Sequence, residues 1–280
     1  MPQTHKLALI VLAVLVVIYG AASYFYNWEA EIAYEEGTYS GELKWFTPHG
    51  EGTWSHPDGD FYEGEFKEGR RHGEGVYETA DGLRYEGEFK DNLMHGEGRI
   101  TTEEGFEYKG ELRFGLAHGY GETTYPEGDR YEGEFKEGQK HGHGTYIDPE
   151  GGKYEGEFKN DYFHGEGVLI DPEGDRYEGE FKEDLFHGQG VYKSEEGTVY
   201  EGEFYEGQFH GEGKIEYPSG ASYEGQWQDD RFHGEGVYID PEGVKYEGEF
   251  KEGQFHGEGT MTFPDGSTLE GTWEEHEFVE

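Results

Sequence analysis

The sequence predicts an all-β protein: an elongated single antiparallel sheet of stacked β-hairpin repeats of 23 residues each, preceded by one N-terminal hydrophobic helix. Three observations predict this fold. A tyrosine recurs at a constant interval along most of the chain, polar residues alternate with aromatic residues and glycine after each of these tyrosines, and the chain begins with one long stretch that carries almost no charge.

The composition favours a folded chain with a thin core. Only 32% of the 280 residues are hydrophobic and the formal net charge is -42, values that alone would indicate disorder. Aromatic residues make up 17%, however, and disordered chains are poor in them. Tyrosine and phenylalanine are therefore the expected core material. The strong negative charge disfavours nucleic acid and anionic lipid as partners and favours basic proteins or cations.

The N-terminal region divides into a tail (1–6), an uncharged segment (7–26) and an acidic linker (27–38). The segment has 20 residues, which matches the ~20 helical residues that span a bilayer core, so we predict a transmembrane helix. Lys6 precedes it and glutamates follow it, which predicts a cytoplasmic N-terminus and repeats on the non-cytoplasmic side of a single-pass protein. The alternative is a signal peptide cleaved near Gly20–Ser23, which would leave an exported protein.

The repeat array is predicted over 39–273, with ten full repeats, a final half repeat and a C-terminal tail (274–280). Every in-phase tyrosine is followed two residues later by glycine and ten residues later by the motif His-Gly-x-Gly, as in Tyr62, Gly64 and His72. The in-phase tyrosines are Tyr39, Tyr62, Tyr85, Tyr108, Tyr131, Tyr154, Tyr177, Tyr200, Tyr223 and Tyr246.

Each repeat is predicted to be one β-hairpin. Tyr62, Gly64 and Phe66 alternate with charged residues, so one face of the first strand would carry rings and glycine and the other face glutamates. Lys67–His72 would be the hairpin loop, which also places the residues equivalent to Arg70 and Arg71 (Gln139 and Lys140 among them) in loops.

Proline and glycine mark the connections between hairpins. In segments such as Asp148–Gly151, proline presets the first central position of a type I turn, and the glycine that follows takes a positive φ. No hairpin is stable alone, so stacking must bury the shared ring face, with the glycines leaving room for rings.

These motifs resemble the MORN repeat (membrane occupation and recognition nexus). The resemblance rests on YEGEF…HGEG at a 23-residue period and covers Tyr39 to about Trp273. It implies a long, twisted, grooved antiparallel sheet whose repeats are not catalytic and that serves as a scaffold, a membrane tether or a protein-binding module. The sequence departs from the family in lacking the basic surface that binding of acidic lipids would need.

We predict no enzymatic activity, cofactor or metal site. Residues that recur ten times are poor candidates for a single active site, and the GxG pairs lack the strand, the third glycine and the helix of a nucleotide-binding fingerprint. Histidines on neighbouring hairpins would stand ~10 Å apart, too far to share a zinc ion. Each histidine is instead predicted to close its hairpin loop and to bond to the backbone.

The ring face is the predicted functional surface. We predict a non-enzymatic, membrane-anchored scaffold with an aromatic groove and acidic rims, which would suit a basic partner protein, bound as an extended peptide or a helix. The lipid bilayer would be contacted through the N-terminal segment. The alternatives are a tether that binds lipid directly and an exported surface protein whose rings stack on carbohydrate. The predicted groove residues are Tyr108, Tyr131, Phe135, Tyr146, Tyr154, Phe158, Tyr177, Phe181, Tyr192, Tyr200 and Phe204.

Overall fold

The computed structural model describes residues 27–280. The predicted tail and transmembrane helix fall on residues 1–26 and lie outside this range. Every regular element between 27 and 280 is a β-strand. Across these residues no helix has the length and the hydropathy of a membrane span.

The described residues divide into two compact units, 27–98 and Arg99–Glu280, and the strands of each unit form an open antiparallel sheet. The first unit holds β1 (Asn27–Tyr34), β2 (Gly37–Lys44), β3 (Thr47–Ser55), β4 (Phe61–Lys67), β5 (Arg70–Glu78), β6 (Arg84–Lys90) and the first six residues of β7 (Leu93–Thr101).

The second unit holds the end of β7 and the remaining strands. They are β8 (Glu107–Arg113), β9 (Leu116–Thr124), β10 (Arg130–Lys136), β11 (Gln139–Ile147), β12 (Lys153–Lys159), β13 (Tyr162–Ile170), β14 (Arg176–Lys182), β15 (Leu185–Lys193), β16 (Val199–Tyr205), β17 (Gln208–Glu216), β18 (Ser222–Gln228), β19 (Arg231–Ile239), β20 (Lys245–Lys251), β21 (Gln254–Thr262), β22 (Thr268–Glu274) and β23 (Glu277–Phe278).

Within each unit, strands pair with their neighbours in chain order. In the first unit the pairing runs from β1 to β6, and in the second from β8 to β23. The segment expected as an acidic linker, 27–38, forms β1 and the beginning of β2, and the expected C-terminal tail supplies β23. The prediction of one hairpin per repeat is confirmed.

The turns that close the hairpins are two residues long, so the predicted six-residue loop is wrong. Only Glu68 and Gly69 lie between β4 and β5, and the rest of Lys67–His72 belongs to the strands. Both turn residues have positive φ, 53° and 78°, as a type I′ turn requires. This turn is favoured because its twist matches that of the strands it joins.

The longer turns between hairpins have the predicted geometry. Gly151 has a φ of 102°, and its amide donates to the carbonyl of Asp148 over 3.2 Å. The carboxylate of Asp148 also accepts a hydrogen bond from the amide of Gly152, at 2.8 Å. Proline and aspartate therefore fix these turns locally, before any packing between hairpins.

A β-bulge lies inside the hairpins. In the β12–β13 hairpin Gly156 pairs with Gly167, yet the next residue, Glu157, pairs with His164, so β13 carries two extra residues. One of them, Gly165, has a φ of +57°, a left-handed conformation that favours glycine. The same shift recurs in other hairpins of both units. The glutamate–histidine pair of the repeat thus marks a bulge within the strands.

In each unit the in-phase tyrosines fill the core on one side of the sheet, which we call the ring face; the opposite side is the acidic face. Their exposed fractions are only 0% to 3%. The hydroxyl of Tyr154 donates to the carbonyl of Glu157 over 2.8 Å and to that of His164 over 3.3 Å, so it is satisfied at the bulge. The histidine therefore contributes its carbonyl from inside β13, which corrects the prediction that it closes the loop.

Glycine is required beneath each ring. The ring of Tyr131 lies across Gly133 and Gly144, which are paired on neighbouring strands. A Cβ atom added at Gly144 would stand 2.5 Å from Cε2 of Tyr131, a distance at which the ring must move. The predicted role of these glycines, which is to make room for rings, is confirmed.

Replacing Gly144 by alanine is expected to lower the free energy of unfolding by about 2 kcal/mol, because an overpacked core forces side chains and backbone to shift. Chemical denaturation followed by circular dichroism measures the change. His143→Ala is the matched control, since it changes the adjacent, exposed residue of the same strand. Equal losses from the two variants would contradict the close ring–glycine packing.

Candidate partner-binding surface

The predicted groove residues lie together in the ring layer of the second unit, but most of them are inside it. Nine have exposed fractions of 7% or less, and only Tyr146 and Tyr192 are half-buried. The rings meet edge to face from one hairpin to the next: Tyr131 lies 4.9 Å from Phe158, and Tyr154 lies 5.0 Å from Phe181. A partner on the ring face would therefore meet other side chains first.

A second layer of phenylalanines covers five of the seven in-phase tyrosines of the second unit. Phe163 stacks on Tyr154 with a centroid distance of 3.8 Å and an interplanar angle of 11°. Sequence reasoning placed this position in a loop and missed it. The signal was present, because Phe-His-Gly recurs in phase. The outer phenylalanines, all half-buried, are Phe163, Phe186, Phe209, Phe232 and Phe255.

Two hairpins carry a cation at this outer position. Lys140 holds its Nζ atom 4.6 Å from the ring centroid of Tyr146 and 5.3 Å from that of Tyr131. Arg71 places its guanidinium 4.6 Å from the centroid of Tyr77. Burial lowers the pKa of Lys140, although nearby carboxylates, Asp161 first, oppose the shift. The ring face can therefore hold a cation against its tyrosines.

Aspartates border the half-buried tyrosines of the ring face. The hydroxyl of Tyr77 donates to Asp60 over 2.7 Å, and Tyr146 and Tyr192 bond in the same way to Asp129 and Asp175. The hydrogen bond from the tyrosine lowers the pKa of the carboxyl group at Asp60 and Asp175. The ring face thus carries negative charge at its border.

The acidic face carries rows of glutamates with a few cations between them. Lys153 bonds to Glu155 over 2.7 Å, and Lys245 bonds to Glu247 over 2.6 Å. Such exposed pairs stabilise a fold by only ~1 kcal/mol or less. Between residues 27 and 280, no group of three or more His, Asp and Glu side chains is arranged to hold a metal ion.

The repeats match a known protein family. A family model of the MORN repeat matches ten stretches, each of which begins at an in-phase tyrosine. They are 39–61, 62–84, 85–105, 108–130, 131–153, 154–176, 177–199, 200–222, 223–245 and 246–268. The chain belongs to the MORN repeat family. In this MORN repeat protein, each matched stretch holds the strand with the buried tyrosine, and nine of the ten hold a strand with the bulge.

Among solved structures, a variant of the TCP10 domain of Danio rerio CPAP is 11% identical, with 87% of this chain and 99% of that chain covered, at a TM-score of 0.24. The TCP10c domain of Drosophila melanogaster Sas-4 is 11% identical, with 88% of this chain and 100% of that chain covered, at a TM-score of 0.16. A streptogramin B lyase is 9% identical over 90% of each chain, also at 0.16. TM-scores this low do not bear on function. The curated proteins include no match.

Alkaline pH is expected to unfold the sheet by ionising the core tyrosines. Burial raises the pKa of Tyr39 and of Tyr246 to about 12 and raises the pKa of other in-phase tyrosines from the ordinary 10.0. Because these pKa values are raised in the folded state, the stability they contribute is complete below pH 10 and is lost as the pH rises towards 12.

Tyrosinate absorbance and far-ultraviolet circular dichroism, followed together against pH, measure this loss. We expect a large part of the absorbance change to be delayed until the β-sheet signal disappears. Ionisation of nearly all tyrosines around pH 10 with an intact sheet signal would contradict the burial of the rings.

Proposed function

We propose that this protein is a non-enzymatic, membrane-anchored scaffold whose ring face binds a basic segment of a partner protein. The observation that supports the proposal is the outer ring layer of the second unit. Phe163, Phe186, Phe209, Phe232 and Phe255 are half-buried in the chain alone and form a continuous series from hairpin to hairpin. Contiguous exposed apolar surface usually marks a site of interaction.

The spacing of this series suits a regular peptide. Equivalent side chains on successive hairpins stand roughly 10 Å apart, which is two strand spacings. Seven residues of an α-helix advance by about 10.5 Å, and three residues of an extended chain by roughly 10 Å. Either conformation can therefore place one side chain against each hairpin, and such regular anchors are how grooves read peptides.

The charge selects a basic segment. With a formal net charge of -42 the protein attracts cations and repels acidic partners. Arg71 and Lys140 show how a partner's cations could bind, because they lie over the rings at the position that phenylalanine occupies elsewhere. In the hairpins of Tyr192 and Tyr238 the outer position is held by Phe186 and Phe232, so the hairpin supplies no cation of its own there. A cation of the partner could then bind against these rings.

Replacing Phe186, Phe209 and Phe232 by lysine is expected to reduce capture of the partner about tenfold, since three cations would repel a basic segment and the apolar contacts would be lost. The fold should survive, because Lys140 occupies the equivalent position in its own hairpin. The measurement is quantitative mass spectrometry of proteins co-purified with the detergent-solubilised full chain.

The matched control places the same charge on the other face. Val168, Val191 and Val237 lie on the acidic face, where Lys214 has the equivalent position, so their replacement by lysine should leave capture unchanged. If both sets of lysines reduced capture equally, the effect would be one of net charge, and the ring face would not be the binding surface.

We further propose that the segment 7–26 anchors the protein and that the repeats lie on the non-cytoplasmic side of the membrane. The support is the sequence itself: 20 uncharged residues preceded by a lysine and followed by glutamates. The exported form remains the alternative if the segment is a cleaved signal.

N-terminal sequencing of the mature protein, combined with alkaline carbonate extraction of membranes, distinguishes the two forms. An anchored protein keeps its segment 7–26 and stays in the membrane pellet. A mature N-terminus near Gly20–Ser23, together with release into the soluble fraction, would establish export in place of anchoring.

A further inference from the structure

The acidic face of the second unit has a shallow, open pit with a volume of about 460 Å³. It lies across β9 to β12, on the side of the sheet opposite the core tyrosines. Its lining residues are Tyr120, Glu132, Gly133, His143, Gly144, Thr145, Glu155 and Gly156.

The pit coincides with two departures from the repeat. The residue two positions after the in-phase histidine is glutamate in seven of the ten repeats. In an eighth repeat it is Gln189, whose side chain has nearly the same size and shape as glutamate. Tyr120 and His143 replace this glutamate in two consecutive hairpins. Both lie beside Glu134, which pairs with Tyr120 and accepts a hydrogen bond from the amide of His143 over 3.1 Å. Two carboxylates are thus replaced by two rings along one wall.

The opposite wall is a short row of side chains across three strands. Thr145 stands between Glu132 and Glu155, with which it is paired in register. Its side chain is small, and the backbone of Gly144 and its neighbours forms the floor. The pit is therefore bounded by two carboxylates on one side and by two rings on the other.

The two carboxylates are in different electrostatic states. Glu155 is paired with Lys153, whereas among the ion pairs of residues 27–280 none involves Glu132. The hydroxyl of Tyr120 donates to Glu132, and this bond holds the ring, 57% exposed, beside the carboxylate. An exposed aromatic ring next to a carboxylate without a cation is the arrangement that receives a planar cation.

We propose that this pit binds the guanidinium group of an arginine side chain from a partner protein. The guanidinium plane lies against the ring of Tyr120 while its fork of N–H donors points to the Glu132 carboxylate. Anions are repelled by the surrounding glutamates. A lysine ammonium is a compact point charge that neither stacks nor donates in a planar fork, so the site prefers arginine.

The preference for arginine is tested on the detergent-solubilised full chain with two dye-labelled, end-blocked Gly/Ser peptides that differ in one residue, arginine or lysine. We expect the arginine peptide to bind about fivefold more tightly, a ratio set by ring stacking and the planar fork. The double variant Tyr120→Glu/His143→Glu should bring the ratio to about one, although it adds two carboxylates. Glutamate at both positions is what Glu97 and Glu166 provide in neighbouring hairpins, so the fold is preserved.

Gln189→Glu is the matched control, because it adds a carboxylate at the equivalent position outside the pit and should leave the fivefold ratio unchanged. Tyr120→Phe should lower the ratio but keep it above one, since the ring remains but loses the hydrogen bond that holds it beside Glu132. Equal binding of both peptides by the unmodified protein, or a preference that persists in the double variant, would overturn the proposal. Lysines at the three ring-face phenylalanines do not touch the pit, so this result is independent of the one on partner capture.

Discussion

The packing of each tyrosine ring across a pair of glycines is the interaction on which the rest of the sheet depends. A glycine pair such as Gly156 and Gly167 lets the ring of Tyr154 lie flat against the backbone, and the bulge supplies carbonyl groups for the hydroxyl. The ring is then fully buried with its polar atom satisfied, which removes the cost of burying a phenol. A core of rings one or two layers deep can therefore support a chain with only 32% hydrophobic residues.

The same interaction makes the hairpins depend on their neighbours. Tyr154 contacts Phe158 of its own hairpin and Phe181 of the next. The packing around each tyrosine ring is therefore complete only when the following hairpin is folded against it. Stability then arises between nearest neighbours, as in other repeat proteins. The in-phase tyrosine is the same in all ten full repeats. The outer position instead accepts Phe163, Lys140 or Arg71, because it lies on top of a core that is already formed.

The two faces of the sheet consequently offer different chemistry. The ring face combines an apolar outer layer with bordering aspartates, which suits a segment that is both apolar and basic. The acidic face is polar and repetitive. Tyr120 and His143 differ from the glutamate that most repeats have at this position, and both line the pit. In an array of near-identical units, side chains that differ from the repeat and meet in space are where a specific site can arise.

The sequence by itself determined the hairpin repeat, the inward parity of Tyr62, Gly64 and Phe66, and the proline turns, because each follows from spacing within a few residues. It did not reveal the bulge, and the reason is physical. The two extra residues in a strand such as β13 leave the parity of Phe163 and Gly167 unchanged, so the alternating pattern passes through the bulge without a break. The polar residues around each short turn made this segment look like a loop, so the sequence also did not reveal the two-residue turns or the stacking of Phe163 on Tyr154. Register between strands fixes which side chains meet, and only the tertiary structure decides that register.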